Sequence, residues 1–293
     1  MSDPVAVARR AYAEELRFTV RLRSAAVVEA LATVPRERFV GPGPWRIKSP
    51  WDLAEYWTTE EADPCAVYHD VLIALDEVRG INNGQPALWA FLLDRLGIER
   101  GEEVLHLGCG TGYYTALIAE LVGPTGRVSA LELDPTLATK ARANLAAWPR
   151  VSVENGDGAS LSFEPQNLVV ASAGATHPLP SWLDAVKPGG RLLFPLTGMN
   201  RSGGMLFLRR DALAPEAYAA RFLCPAGFID FRGARDAGVG QRLDAALTAD
   251  RGASVRSLRR DRHAEDSSCW LHGEGWCLSH RVPSGAAPAK DSQ

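Results

Sequence analysis

Val104-Leu105-His106-Leu107-Gly108-Cys109-Gly110-Thr111-Gly112-Tyr113 is an apolar run that breaks into three alternate glycines and then opens into residues of helical spacing. A strand that turns sharply into a helix needs glycine where the backbone must approach a ligand with no Cβ in the way. The first turn of such a helix presents unpaired N–H groups, which hold a phosphate or a carboxylate. The dinucleotide fingerprint places its third glycine three residues after the second, and that position here is Tyr113. The tighter Gly-x-Gly-x-Gly favours S-adenosylmethionine (SAM), whose methionine moiety carries a carboxylate.

Outward from this stretch, the chain from Gly101 to about Arg210 alternates short apolar strands with helices, the pattern of a parallel sheet covered on both faces. Strands are expected at Glu103–Leu107, Arg127–Leu133, Val151–Asn155, Leu168–Ser172, Arg191–Pro195 and Met205–Arg209, with helices at Tyr113–Val122 and Pro135–Ala147. Glu132 ends the second strand in Ser129-Ala130-Leu131-Glu132-Leu133-Asp134, where a carboxylate can accept both ribose hydroxyls of an adenosine. Asp134, one residue before Pro135, reads as a helix cap. Asn155-Gly156-Asp157-Gly158-Ala159 follows the third strand and puts Asp157 in position to accept from the adenine amino group. Ligands of open α/β sheets bind at the carboxyl ends of the strands, where all three segments fall. The cofactor-binding set is therefore Gly108, Cys109, Gly110, Gly112, Tyr113, Glu132, Leu133, Asp157 and Gly158.

The fold class expected is α/β: a Rossmann-like, doubly wound, mostly parallel sheet of the class I methyltransferase kind, with an N-terminal helical extension and an added C-terminal segment. Residues 1–100 form the N-terminal helical and substrate-loop region. Residues 101–210 form the SAM-binding domain, 211–283 an extension packed on it and 284–293 a disordered tail. In the first part Val5–Leu31 reads as one helix, and Pro35 closes it. Gly41-Pro42-Gly43-Pro44 then starts a long irregular stretch to Gly80, and a second helix begins at Pro86 and stops at Gly97.

Composition removes several function classes. Among 293 residues, 46% are apolar and 23% charged, and the net charge of -3 leaves no overall polyphosphate footprint, against a dedicated nucleic-acid protein. The arginines Arg256, Arg259, Arg260 and Arg262 are read as a solvated face. Five scattered cysteines point to a reducing cytoplasm rather than a disulfide framework. No segment approaches the roughly 18 apolar residues of a membrane span, and the N-terminal residues lack a secretory signal's apolar run.

The order of segments resembles protein-L-isoaspartate O-methyltransferase over roughly residues 20–200. The matching pieces are Val34-Pro35-Arg36-Glu37-Arg38-Phe39-Val40, Gly108-Cys109-Gly110-Thr111-Gly112-Tyr113, Gly156-Asp157-Gly158 and Val186-Lys187-Pro188-Gly189-Gly190-Arg191-Leu192. The resemblance implies transfer of the SAM methyl to the free carboxylate of an isoaspartyl residue in a protein or peptide. It also implies a Thr/Ser-rich acceptor loop ending in Ser-x-Pro. Here the aligned stretch is Arg79-Gly80-Ile81-Asn82-Asn83-Gly84-Gln85-Pro86, with Gly84 at the serine position. Asn82, Asn83 and Gln85 are the polar replacements, and the substrate-loop candidates.

A carboxylate acceptor is already nucleophilic at neutral pH, so no catalytic base is nominated; His69 is the only histidine considered. Two cysteines and two histidines between Arg259 and Leu278 raise a metal reading, but their spacing supplies neither a close Cys pair nor a close His pair, and no metal is expected. Trp270 and Trp276 suit a hairpin instead. Two other classes remain open: a SAM-binding adaptor that has lost chemistry, and a nucleic-acid methyltransferase. The second lacks its Asp/Asn-Pro-Pro-Tyr-like loop, since that position reads Ala171-Ser172-Ala173-Gly174-Ala175-Thr176-His177-Pro178.

Overall fold

The computed structural model describes residues 3–214 and 216–283; the tail read as disordered, Ser284–Gln293, lies outside them. Contacts gather the chain into two compact units, Met1–Glu103 with Cys109–Asn155, and Val104–Gly108 with Gly156–Gln293.

In the first unit, the single helix expected over Val5–Leu31 is two helices, α1 (Pro4–Thr19) and α2 (Ala25–Thr33). The break is held from afar. The Asp94 carboxylate accepts the N–H groups of Arg23 and Ser24, both at 2.8 Å, Arg21 turns to φ +53°, and Ser24 Oγ caps α2 by accepting from Val27 N–H. The stretch Gly41–Gly80, read as irregular, contains β1 (Arg46–Ser49), β2 (Asp52–Thr58) and β3 (Leu72–Asp76). With β4 (Ile81–Asn82) they form an antiparallel sheet in the order β2-β1-β3-β4. Ile47 pairs with Trp57 on one side and Ile73 on the other, and Ile47 and Ile73 are its buried centre. So few inward positions leave almost no alternation to read in the sequence.

Helix α3 (Pro86–Leu96) ends at Gly97 in the left-handed conformation. After β5 (Glu103–Leu107) come α4 (Tyr113–Val122), β6 (Arg127–Glu132), α5 (Pro135–Asn144) and β7 (Val151–Asn155). Strands β6 and β7 are parallel, from Val128 opposite Val151 to Glu132 opposite Asn155. Asp134 caps α5 by accepting from Thr136 and Leu137 N–H.

The second unit is built on β5, parallel to β8 (Gln166–Ala171) with Val104 opposite Leu168. The short α6 (Pro180–Asp184) leads to β9 (Val186–Thr197), parallel to β8. Leu168, Val169, Val170, Leu192, Leu193 and Phe194 are all fully buried, the unbroken apolar pattern of strands covered on both faces. Strands β10 (Ser202–Arg210) and β11 (Ala217–Gly227) then turn the sheet antiparallel. The C-terminal segment adds α7 (Ala237–Asp250), β12 (Ser257–Arg259), β13 (Cys269–Gly273) and β14 (Trp276–Ser279). The sheet of this unit runs β13-β14-β12-β11-β10-β9-β8-β5, so the added strands extend it strand by strand. Among the described residues, no helix is long and apolar enough to cross a membrane.

His106 on β5 is 1% exposed, and its Nε2 lies 2.7 Å from Ser172 Oγ. Burial pushes its pKa from 6.5 down to about 4. The unfolded chain therefore takes up this proton near pH 6.5 and the folded chain only near pH 4, so stability is lost as pH falls through that window. Urea denaturation across it should show the wild type losing about 3 kcal/mol more than His106→Gln loses. Parallel pH profiles for the two proteins would refute this account of His106.

Candidate cofactor and acceptor site

The glycine turn follows β5 directly. Gly108, Gly110 and Gly112 all have positive φ, at +73°, +58° and +97°, yet they serve different ends. A Cβ on Gly108 would meet nothing nearer than Ser172 Cβ at 3.9 Å, and one on Gly110 nothing nearer than Leu75 Cδ1 at 3.9 Å. A Cβ on Gly112 would lie 2.7 Å from Leu145 Cδ1. A Cβ at either of the first two would make only ordinary van der Waals contact, whereas the third glycine lets α4 seat against Leu145. Gly112 offers α4 no side-chain cap. Thr111 locks the turn: its Oγ1 donates to the Phe39 carbonyl at 2.6 Å, and its carbonyl accepts from Asn144 Nδ2.

Two of the expected residues have buried side chains. The Cys109 thiol is buried, and desolvation, with Glu132 nearby, raises its pKa, so it stays protonated. The Tyr113 ring is 1% exposed and packs against Tyr114 and Phe39.

Glu132 is 9% exposed, and each of its carboxylate oxygens accepts one main-chain bond, Oε2 from Gly110 N–H at 2.8 Å and Oε1 from Asp134 N–H at 3.0 Å. A carboxylate has about four acceptor positions, so it can accept more than these bonds. Desolvation raises its pKa, and the backbone N–H groups of Asp134, Gly110 and Leu133 oppose that rise. Beyond it Leu133 is 39% exposed, its carbonyl held by Asn155 Nδ2 at 2.9 Å.

In the second unit Asp157 Oδ1 accepts from Ala159 N–H at 2.9 Å, and the Gly158 carbonyl accepts from Trp182 Nε1 at 2.8 Å. Trp182 is fully buried and meets Phe231 edge-on at 4.8 Å. Phe231 belongs to a strap, residues 228–236, whose Phe231 N–H donates to the Gly174 carbonyl and whose Ala234 carbonyl accepts from Thr176 N–H. A Cβ on Gly233 of the strap would lie 2.6 Å from Ala159 Cβ. The C-terminal segment thus braces the Asp157 loop, a role that sequence reading missed because no local motif marks it.

The three acceptor-loop candidates are each engaged. Asn82 Oδ1 accepts from Gly84 N–H at 2.8 Å, Asn83 Oδ1 from Arg36 Nε at 3.3 Å, and Gln85 Nε2 donates to Asp70 Oδ2 at 3.0 Å. Asn83 is 7% exposed and faces inward to Arg36, leaving Asn82 and Gln85 as the more accessible pair. The other Asp70 oxygen accepts from Ala87 N–H and so caps α3 from outside it. The neighbouring His69 contributes its carbonyl, which accepts from Arg36 Nη1. Sequence reading also missed Arg36 itself, fully buried although it is an arginine.

An α/β fold, a glycine turn after its first parallel strand and a buried glutamate at the end of the next strand suit an adenosine nucleoside bearing a carboxylate. They make this chain a class I SAM-dependent methyltransferase. Residues 9–213 match the family model for Protein-L-isoaspartate(D-aspartate) O-methyltransferase (PCMT), and the chain belongs to that family. It is 35% identical over 225 residues to the protein-L-isoaspartate O-methyltransferase of Methanothrix thermoacetophila, spanning 75% of this chain and 95% of that one. To the enzyme of that name from Aeropyrum pernix it is 34% identical over 201 residues, 67% of this chain and 69% of the other. A solved protein-L-isoaspartate O-methyltransferase superposes with a TM-score of 0.62 at 22% identity, over 80% of this chain and 69% of its own. The chain is thus an O-methyltransferase whose cofactor is SAM and whose acceptor is a carboxylate.

Gly84 stands where the resemblance puts a serine. It sits at φ +79°, and a Cβ there would lie 3.0 Å from both Trp89 Nε1 and Tyr114 Cε2, whose rings stack at 4.6 Å. Tyr114 also donates its hydroxyl to the Gly84 carbonyl. The left-handed backbone alone costs a non-glycine residue about 1–2 kcal/mol. Gly84→Ser should therefore lower the melting temperature measurably and fail to raise methyl transfer to an isoaspartyl peptide. An unchanged melting temperature would show that the ring pair yields.

Proposed function

We propose that this chain esterifies the free carboxylate of an isoaspartyl residue in a protein or peptide. In this reading SAM is held by Gly108, Cys109, Gly110, Gly112, Tyr113, Glu132, Leu133, Asp157 and Gly158. The observation that carries it is the family match, which runs from residue 9 to 213 and so covers both the cofactor segments and the acceptor loop Arg79–Pro86. The glycine turn and the N-terminus of α4, which no side chain caps, suit the methionine carboxylate. Glu132 takes the ribose hydroxyls, Leu133 covers the adenine, and the Asp157 oxygen not bonded to Ala159 accepts from the adenine amino group.

SAM supplies an electrophilic methyl on a sulfonium sulfur. The acceptor carboxylate attacks in line without prior deprotonation, so the residues of this chain position the groups and exclude water rather than move a proton. Orientation of that kind is worth up to about 7–11 kcal/mol. Asn82 and Gln85 hold the acceptor loop in shape through Gly84 N–H and Asp70. A polypeptide acceptor suits the first unit's β2, an edge strand on which Leu53 and Trp57 are exposed, with Trp51 exposed just before it. Five cysteines with free thiols suit the cytoplasm.

A second reading, another polypeptide carboxylate, is favoured by one observation: the position of the family's loop serine is glycine and packed against two rings. The assay that separates them uses labelled SAM with an isoaspartyl peptide and its aspartyl twin, beside calorimetric SAM binding. Base-labile label on the isoaspartyl peptide alone is the expected result. SAM binding with neither peptide labelled would sink the isoaspartyl reading and favour the second.

Glu132 supplies an independent check. Because its pKa is raised, it protonates earlier than an ordinary glutamate as pH falls, and an acceptor for the ribose is lost. SAM affinity of the wild type should weaken as pH falls from neutral, and begin to do so at a higher pH than an ordinary glutamate would give. Glu132→Gln should bind at least about ten-fold more weakly at neutral pH with a flatter pH profile. Equal affinity of the two proteins would remove Glu132 from the cofactor site.

A further inference from the structure

The second unit gathers four soft side chains that methyl transfer does not use. His263, Cys269, His272 and Cys277 each offer one ligand atom, and these atoms all lie within 4.8 Å of one another. Cys269 Sγ is 3.5 Å from His263 Nε2 and 3.8 Å from His272 Nδ1. The edge of a zinc tetrahedron between a sulfur and a nitrogen ligand is about 3.6 Å, from its bond lengths. We propose that these four residues bind one zinc ion.

The proposal departs from the expectation of no metal, and the reason lies in the strand. Cys269 and His272 are three apart on β13, which a regular strand would send to opposite faces. A register irregularity between Cys269 and Leu271 brings both to one side. The β13–β14 hairpin places Cys277 directly opposite His272, and Gly275 at φ +75° makes its turn. His263 arrives from the loop before β13.

The surroundings are those of a metal ligand set. His263 Nδ1 is 2.9 Å from the Asp261 carbonyl, which fixes the proton on that nitrogen and leaves Nε2 with its lone pair toward Cys269. Asp261 is itself gripped by Arg259. Cys269 Sγ accepts from Asp266 N–H at 3.4 Å, a bond a thiolate strengthens. Two thiolates with two imidazoles make tetrahedral S₂N₂, the set of zinc. Cys277 is fully buried and the other three are half-buried, so the protein fills all four positions and the site is structural. Binding displaces one proton from each thiol to solvent and leaves the imidazoles neutral, so the doubly charged ion is balanced by two thiolates.

The test is metal analysis of the full chain purified without chelator. About one zinc per chain is expected, lost in Cys277→Ser and in His263→Ala. Cobalt added to the metal-free wild type should give thiolate-to-cobalt charge transfer with tetrahedral d–d bands, a readout that stands even if a variant fails to fold. Reduced wild type that retains no zinc after reconstitution and desalting would overturn the proposal. So would a Cys269–Cys277 disulfide found by non-reducing peptide mapping, or zinc retained by the double variant Cys269→Ser, Cys277→Ser.

Discussion

The guanidinium of Arg36 is wholly removed from water, and its donors end on neutral acceptors. Nη1 donates to the carbonyls of Val67 and His69, Nη2 to that of Val71, and Nε to Asn83 Oδ1. Its carbon lies 5.9 Å from the ring centres of both Tyr12 and Tyr113. A charge this deep survives only because its polar edge is met, and hydrogen bonds to a charged group contribute about 1.5–3 kcal/mol each. Much of the first unit's loop chemistry hangs from it. The carbonyls it collects flank Asp70, which then reaches Gln85 and Ala87; Asn83, drawn inward, fixes the chain one residue before Gly84. The short segment between β4 and α3 is thus held by one side chain from another part of the unit.

Around the expected cofactor positions the same economy holds with opposite chemistry. Glu132 is a buried anion kept in place by two backbone N–H groups, one from the glycine turn and one from the start of the next helix. Its orientation is set before any ligand arrives, which spares the ordering cost that a mobile glutamate would incur on binding. The three glycines are likewise not equivalent: a Cβ would make ordinary contact at two of them and collide with Leu145 at the third.

What was legible in the sequence was whatever local chain chemistry fixes. The strand Glu103–Leu107, the helix Tyr113–Val122 and the stop at Gly97 fall where apolar period, glycine and proline put them. What was hidden rests on partners far along the chain. The break after α1 depends on Asp94, the small antiparallel sheet on Ile47 meeting Ile73, and the interior position of Arg36 on three carbonyls that no sequence window contains. The histidine–cysteine cluster failed to register for a subtler reason. Linear spacing assumes a regular strand, and β13 is not regular.

The division of contacts bears on how the polypeptide is made. Residues 104–108 lie in the midst of the first unit's sequence but belong with the second, and their pairing partner Gln166–Ala171 emerges from the ribosome later. A nascent chain that has completed Asn155 therefore carries an apolar strand edge with nothing yet to pair it on the β8 side, the kind of edge that other chains recruit. No single cleavage can yield both halves intact: a fragment ending there keeps residues 104–108, and one beginning at Gly156 lacks them. The two units are thus committed to one biogenesis.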